Sequence, residues 1–165
     1  MEPIRGKQEI FDPSYRYKMH KVVFQKEKTK TCITNLDKIA DDIKIPDREL
    51  IVSYLKKRLS IAIAEKNDRY IITSAVDTKA IQSAIYEFIE YFVLCKQCKL
   101  PELTYGLEKK HLSVYCRSCG KVDAIDSNEH TEKIIMVIES KLSNESKKKK
   151  VKKSKDLDHE VECKE

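Results

Sequence analysis

The 165-residue chain has room for one compact domain of the usual ~50 to 200 residues plus a small satellite, which excludes a second full-sized domain. Hydrophobic residues make up 41% of it, aromatic residues only 7%, and Trp is absent, so a modest aliphatic core is expected. Half of the +6 net charge falls on residues 147–165, leaving the remainder too mildly basic for a protein that coats nucleic acid.

No apolar run approaches the ~18 residues of a membrane span, and the first residues lack the apolar stretch of a signal peptide. The expectation is a soluble, intracellular chain with no membrane partner. Residues 1–20 are polar, carry two prolines and show no sustained periodicity, which predicts a mobile arm. Residues 21–24 and 31–33 are expected to be short strands joined by the charged segment QKEKTK. Asn35 is placed to cap a helix with Leu36, Ile39, Ala40 and Ile43 on one face. Pro46 is placed to open a second helix, ending near Leu59, that buries Leu50, Ile51, Tyr54 and Leu55.

Alternating β-branched runs at 60–66 and 69–74 meet at Asn67 and Asp68, a hairpin signal. From Asp77 to Phe92, residues Ile81, Ala84, Ile85, Phe88, Ile89 and Phe92 follow helical spacing, and this helix runs directly into VLCKQC. Thr131 to Leu142 is expected to be a last helix, with Ile134, Ile135, Ile138 and Leu142 on one side. Residues 147–155 hold seven Lys in nine positions and an acidic stretch follows, a composition that predicts disorder. The expected fold is α+β. It comprises an arm (1–20), a small α/β domain (21–92), a zinc ribbon with an extension (93–142) and a disordered tail (143–165).

Four of the six cysteines carry the sharpest signal. Cys95, Cys98, Cys116 and Cys119 form two C-x2-C pairs separated by seventeen residues, within the spacing of a four-cysteine zinc site. Two residues between paired cysteines let a tight turn aim both sulfurs at one metal, and two such turns complete a tetrahedron. Four protein sulfurs leave no open position for water or substrate, so one Zn²⁺ here is expected to be structural. It would replace the core that so short a module lacks, contributing on the order of 10 kcal/mol. Lys96, Lys99, Arg117 and Lys121 lie where they can offset the formal charge of −2 at the site. An iron centre and unmetallated cysteines are the alternatives. Cys32 and Cys163 are expected to be free thiols.

Other residues admit two interpretations each. Tyr15, Arg16, Tyr17, Lys18 and Met19 fit either a strand edge lying on the domain or an arm whose arginine reaches another molecule's phosphate site. The helix pair and hairpin also resemble a winged helix-turn-helix, with Arg48, Lys56, Lys57 and Arg58 on its second helix but Asp47 and Glu49 at its start. Tyr105, His111 and Tyr115 either stack on bases or pack a small ribbon. His20, His130 and His159 show no carboxylate or serine partner for catalysis, and the three glycines form no phosphate-binding loop.

Taken together, DPSYRYKM (12–19), NDRYIIT (67–73), FVLCKQCKLPE (92–102) and YCRSCGK (115–121) resemble the amino-terminal half of eukaryotic translation initiation factor five, a family that shares its fold with the beta subunit of initiation factor two. The resemblance spans about residues 12–138. It implies an α/β domain joined to a zinc ribbon, in a cytoplasmic monomer that docks on the small ribosomal subunit and initiator tRNA. It also implies stimulation of GTP hydrolysis by the gamma subunit of initiation factor two during start-codon selection. The arginine that the family needs for this stimulation matches Arg16, with Tyr15, Tyr17 and Lys18 as its support, so the protein would activate a GTPase rather than be an enzyme itself. A beta-subunit-like binding module or competitor is the second possibility, and a winged-helix nucleic-acid binder the third. Three features depart from the family. Ser14 stands in place of Phe, His20 in place of Pro, and QKEKTK in place of a glycine-rich connection. The family's carboxy-terminal helical-repeat domain is expected to be replaced by the Lys run and acidic end.

Overall fold

In a computed structural model, the structure describes residues 1–6, 12–27, 30–66, 69–74, 76–108 and 111–144. The Lys run, the acidic end and Cys163 lie outside the described residues.

Residues 1–6 and 12–20 depart from the expected arm. Strand β1 (Glu2–Pro3) pairs antiparallel with β2 (Lys18–Met19), and the Ile4 amide donates to the Tyr17 carbonyl at 2.9 Å. Ile4 and Met19 belong to the core, at 3% and 0% exposure. Two-residue strands are too short to leave a periodic trace, so each anchor is a single apolar residue in a polar run. At His20 the backbone N–H and ring Nδ1 both lie 2.7 Å from Asp42 Oδ2. His20 thus has a carboxylate partner after all, used as an anchor, and a proline here would lack the N–H it needs.

Four antiparallel strands follow in the order β3-β4-β6-β5: β3 (Phe24–Glu27), β4 (Lys30–Ile33), β5 (Ile63–Lys66) and β6 (Arg69–Ile72). The first strand begins later than expected and takes in Gln25, Lys26 and Glu27 of the charged connection. Asn35 accounts for the shift. Its Oδ1 accepts from Val23 N at 2.9 Å and its Nδ2 donates to the Lys21 carbonyl at 2.7 Å, so its amide binds residues 21–23. It sits at the N-cap position of α1 (Leu36–Asp42) but makes no capping hydrogen bond. Charged side chains on β3 keep this edge strand soluble.

Helix α2 (Glu49–Leu59) starts three residues after Pro46, where Asp47 Oδ1 accepts from Glu49 N at 2.8 Å. Helix α3 (Thr78–Phe92) is capped by the Asp77 side chain and buries all six expected residues. Tyr54, Phe88 and Phe92 meet ring to ring, with Phe88 and Phe92 centroids 4.9 Å apart. The β5–β6 hairpin is no free wing, because β6 is also paired with β4. Arg48 is engaged with Asp37 and Glu65, and Arg58 with Glu87, which removes two of the four cations a winged helix would offer to DNA.

The chain leaves α3 through Val93 and Leu94 straight into buried Cys95. Strands β7 (Leu103–Glu108), β8 (His111–Cys116) and β9 (Val122–Ala124) form a three-stranded antiparallel ribbon. Residues 132–144 are helical (α4) and bury Ile134 and Ile138. Leu112 N donates to Glu139 on one side of α4, and Lys141 pairs with Asp47 on the other. One continuous cluster of buried residues therefore runs from Ile33 and Tyr54 through Phe92 to Leu112, Ile125 and Ile138. No helix among the described residues is long and apolar enough to cross a membrane.

Candidate metal centre and arginine arm

The four expected cysteines come together. Their sulfurs all lie within 4.8 Å of one another, with Cys95 to Cys119 at 3.7 Å and Cys98 to Cys116 at 3.6 Å. A tetrahedron with Zn–S bonds of ~2.3 Å has S···S edges of about 3.8 Å, so the donor set fits a metal ion of this kind. The two turns that aim the sulfurs are copies of each other. Cys95 N donates to the Leu100 carbonyl and Lys99 N to the Cys95 carbonyl. In the second turn Cys116 N donates to Lys121 and Gly120 N to Cys116, all at 2.9–3.0 Å.

Burial works against ionisation at Cys95. The backbone N–H groups of Cys98 and Gln97 and the thiols of Cys119 and Cys116 outweigh it and bring the thiol down to about 7. Burial pushes Cys98 up to about 12. Four thiolates at this separation repel one another, and a dication between them lets all four ionise. Lys96, expected to offset the sulfurs' charge, instead braces the loop after β9: its Nζ lies 2.8 Å from both the Ala124 carbonyl and Asp126 Oδ1.

Tyr105 packs the ribbon, as one of its two interpretations held. Its hydroxyl donates to the Phe92 carbonyl at the end of α3, and burial pushes its pKa up. His111 and Tyr115, by contrast, are exposed. Cys32 is buried with no disulfide.

The Tyr15–Arg16–Tyr17 segment leaves an Asp12 turn, in which Asp12 Oδ1 accepts from Ser14 N and the Asp12 carbonyl from Tyr15 N. Both tyrosines face inward. The Tyr15 hydroxyl donates to the Ile4 carbonyl at 3.0 Å, and the two rings meet edge to face at 5.5 Å. Burial raises the Tyr15 pKa, with Tyr17 and Cys98 adding to the effect. Arg16 points outward with its side chain 76% exposed, its guanidinium carbon 4.7 Å from the Tyr17 ring centroid. Lys18 is exposed on β2.

One residue of this arrangement is not singled out by the sequence. Glu102, just past the first cysteine turn, accepts from the Tyr17 hydroxyl at 2.8 Å and lies 3.5 Å from Arg16 Nη2. Arg16 Nη2 in turn donates to the Tyr17 hydroxyl at 2.6 Å. Hydrogen bonding to Tyr17, the largest effect, raises the Arg16 pKa, and Glu102 adds to it. The arm and the ribbon, some eighty residues apart in the chain, thus form one surface.

Comparison with known proteins agrees with this architecture. The family described as a domain found in initiation factors 2B and 5 matches residues 7–122. Eukaryotic translation initiation factor 5 of Dictyostelium discoideum is 33% identical over 132 residues, covering 76% of this chain and 33% of that protein. The Caenorhabditis elegans factor of the same name is 31% identical over 137 residues, covering 77% and 30%. The translation initiation factor 2 subunit beta of Archaeoglobus fulgidus is 25% identical over 105 residues, covering 64% of this chain and 76% of that protein. This chain spans about a third of the length of the factor 5 relatives. With matched residues that take in the arm, the α/β sheet and both cysteine pairs, the chain belongs to the family defined by the domain found in initiation factors 2B and 5.

Proposed function

We propose that this protein acts in translation initiation, in the cytoplasm, as a GTPase activator of initiation factor 2. Arg16 is lent to the GTP site of the gamma subunit while the ribbon docks on the small-subunit complex carrying initiator tRNA. The observation that carries this proposal is the exposure of Arg16 between two inward-facing tyrosines. A guanidinium held out from a pinned backbone can neutralise charge developing on a transferring phosphoryl group. The four cysteines hold one Zn²⁺, whose role is to fold the ribbon and fix the docking surface.

The test is GTP hydrolysis by initiation factor 2 in a purified initiation complex, with Arg16→Ala and Arg16→Lys. An arginine supplied in trans contributes ~10³ to 10⁵ in rate in other GTPases, and Lys cannot reproduce its planar fork, so both variants should lose most stimulation. Parental stimulation by Arg16→Ala would rule out the finger role.

A second possibility is a beta-subunit-like binding module that docks without activating hydrolysis. It is favoured by the coverage of the archaeal beta subunit, 76% of whose length this chain matches. Binding to initiation factor 2 without any stimulation of hydrolysis would select it.

A further inference from the structure

We propose that Glu102 is the positioning residue for Arg16, tying the arm to the metal-folded ribbon; this rests on the finger role given to Arg16. Glu102 is itself tightly held. Its carbonyl accepts from Arg117 N at 2.9 Å, Pro101 precedes it, and it therefore sits between the two cysteine turns. Its carboxylate, only 20% exposed, receives the Tyr17 hydroxyl at 2.8 Å. Tyr17 then presents both its ring and its hydroxyl oxygen to the Arg16 guanidinium.

The direct Arg16–Glu102 contact is different in kind. At 3.5 Å, with Arg16 76% exposed, it is long and open to solvent screening, so the guanidinium leaves it readily for a phosphate. The shorter, better-shielded bond is the one to Tyr17. Glu102 therefore acts on the backbone that carries Arg16, and does not lock the guanidinium away. Removing its carboxylate frees Tyr17, and with it the direction in which Arg16 points.

The experiment uses the full zinc-loaded chain with Glu102→Ala, Glu102→Gln, Tyr17→Phe and the Ala/Phe double variant. Two quantities are read: the stimulated hydrolysis rate beside binding affinity for initiation factor 2, and the ¹⁵N heteronuclear NOE of residues 15–17 in the free protein. Glu102→Ala and Tyr17→Phe should each lower the rate about tenfold with unchanged affinity, since small misplacements of a reacting group cost this much or more. The double variant should lose less than the product of the two single losses, because the Tyr17–Glu102 bond is common to both, although each single variant also removes its own contact to Arg16. Glu102→Gln keeps an acceptor for Tyr17 and should retain most of the rate. Parental or faster hydrolysis by Glu102→Ala, with Arg16→Ala inactive, would overturn the positioning role alone. If Arg16→Ala proves fully active, the finger role fails and the NOE decides: a drop in Glu102→Ala supports the tie, and an unchanged value refutes it.

Discussion

Lys99 and Gly120 occupy the same place in the two cysteine turns. Each follows the second cysteine of its pair, donates its amide to the first cysteine's carbonyl at 2.9 Å, and takes a left-handed backbone, with φ of 59° and 72°. Only one of them is the residue that prefers this conformation.

A Cβ at Gly120 would meet no heavy atom within 4 Å, so the cost of Gly120→Ala is backbone strain alone. About 1–2 kcal/mol of left-handed strain, partly offset by reduced unfolded-chain entropy, leaves a net loss of about 1 kcal/mol. Lys99→Gly should have the opposite sign, neutral to about 1 kcal/mol more stable. Thermal unfolding of the metal-loaded protein checks both. Equal destabilisation by the two substitutions would show that the turns are not equivalent.

Removal of the metal should unfold more than the cysteine turns. Leu112, Val114 and Ile125 of the ribbon join Ile134 and Ile138 of α4 in the same core, so a strong chelator should expose Tyr105 and loosen α4 together with β7–β9. Acid should act in the same direction. The fold depresses Cys95 from the ordinary thiol value to about 7, so its contribution is present at high pH and lost as pH falls through about 7. Burial pushes the Cys98 thiol the other way, and a bound dication would favour its ionisation. Zinc release, followed with a colorimetric indicator, is therefore expected on acidification, as protons compete with the metal for all four thiolates. A metal content that does not fall with pH would refute thiolate ligation.

How much of this was legible follows from the range of each interaction. The cysteine pairs and α3 could be read because their signals are local: fixed spacing in one case, and a 3.6-residue period sustained from Ile81 to Phe92 in the other. The arm misled because Ile4 and Met19 are isolated anchors whose burial depends on the rest of the core. Asn35 has the identity of a cap, yet its amide is taken by residues 21–23, a tertiary competition that no propensity records. Glu102 closes the stretch FVLCKQCKLPE, yet nothing local marks its role, since Tyr17 lies 85 residues away.

Asn35 yields a prediction that separates the two roles. If it were a capping residue, Asp would serve equally well. Here the Nδ2 donor to the Lys21 carbonyl would be replaced by a second acceptor facing that carbonyl. Asn35→Asp is therefore expected to cost about 1–2 kcal/mol, as much as Asn35→Ala. Denaturant unfolding of the two variants checks this, and a neutral Asn35→Asp would restore the capping role.

Asp47 performs two tasks with its two oxygens. Oδ1 accepts from Glu49 N at the start of α2, and Oδ2 receives Lys141 from α4. Asp47→Asn keeps the first and weakens the second, whereas Asp47→Ala removes both. The cap is worth about 1 kcal/mol, and an ion pair of this partial exposure about 0.5–1 kcal/mol. Asp47→Asn should therefore cost the smaller amount, with a penalty that shrinks in high salt, and Asp47→Ala should retain a salt-insensitive remainder. A double-mutant cycle with Lys141→Met isolates the pair. Zero coupling would mean that α4 is held to the α1–α2 connection by apolar packing alone, through Ile138 and Leu142, so that docking forces on the ribbon would reach the sheet without any charged strut.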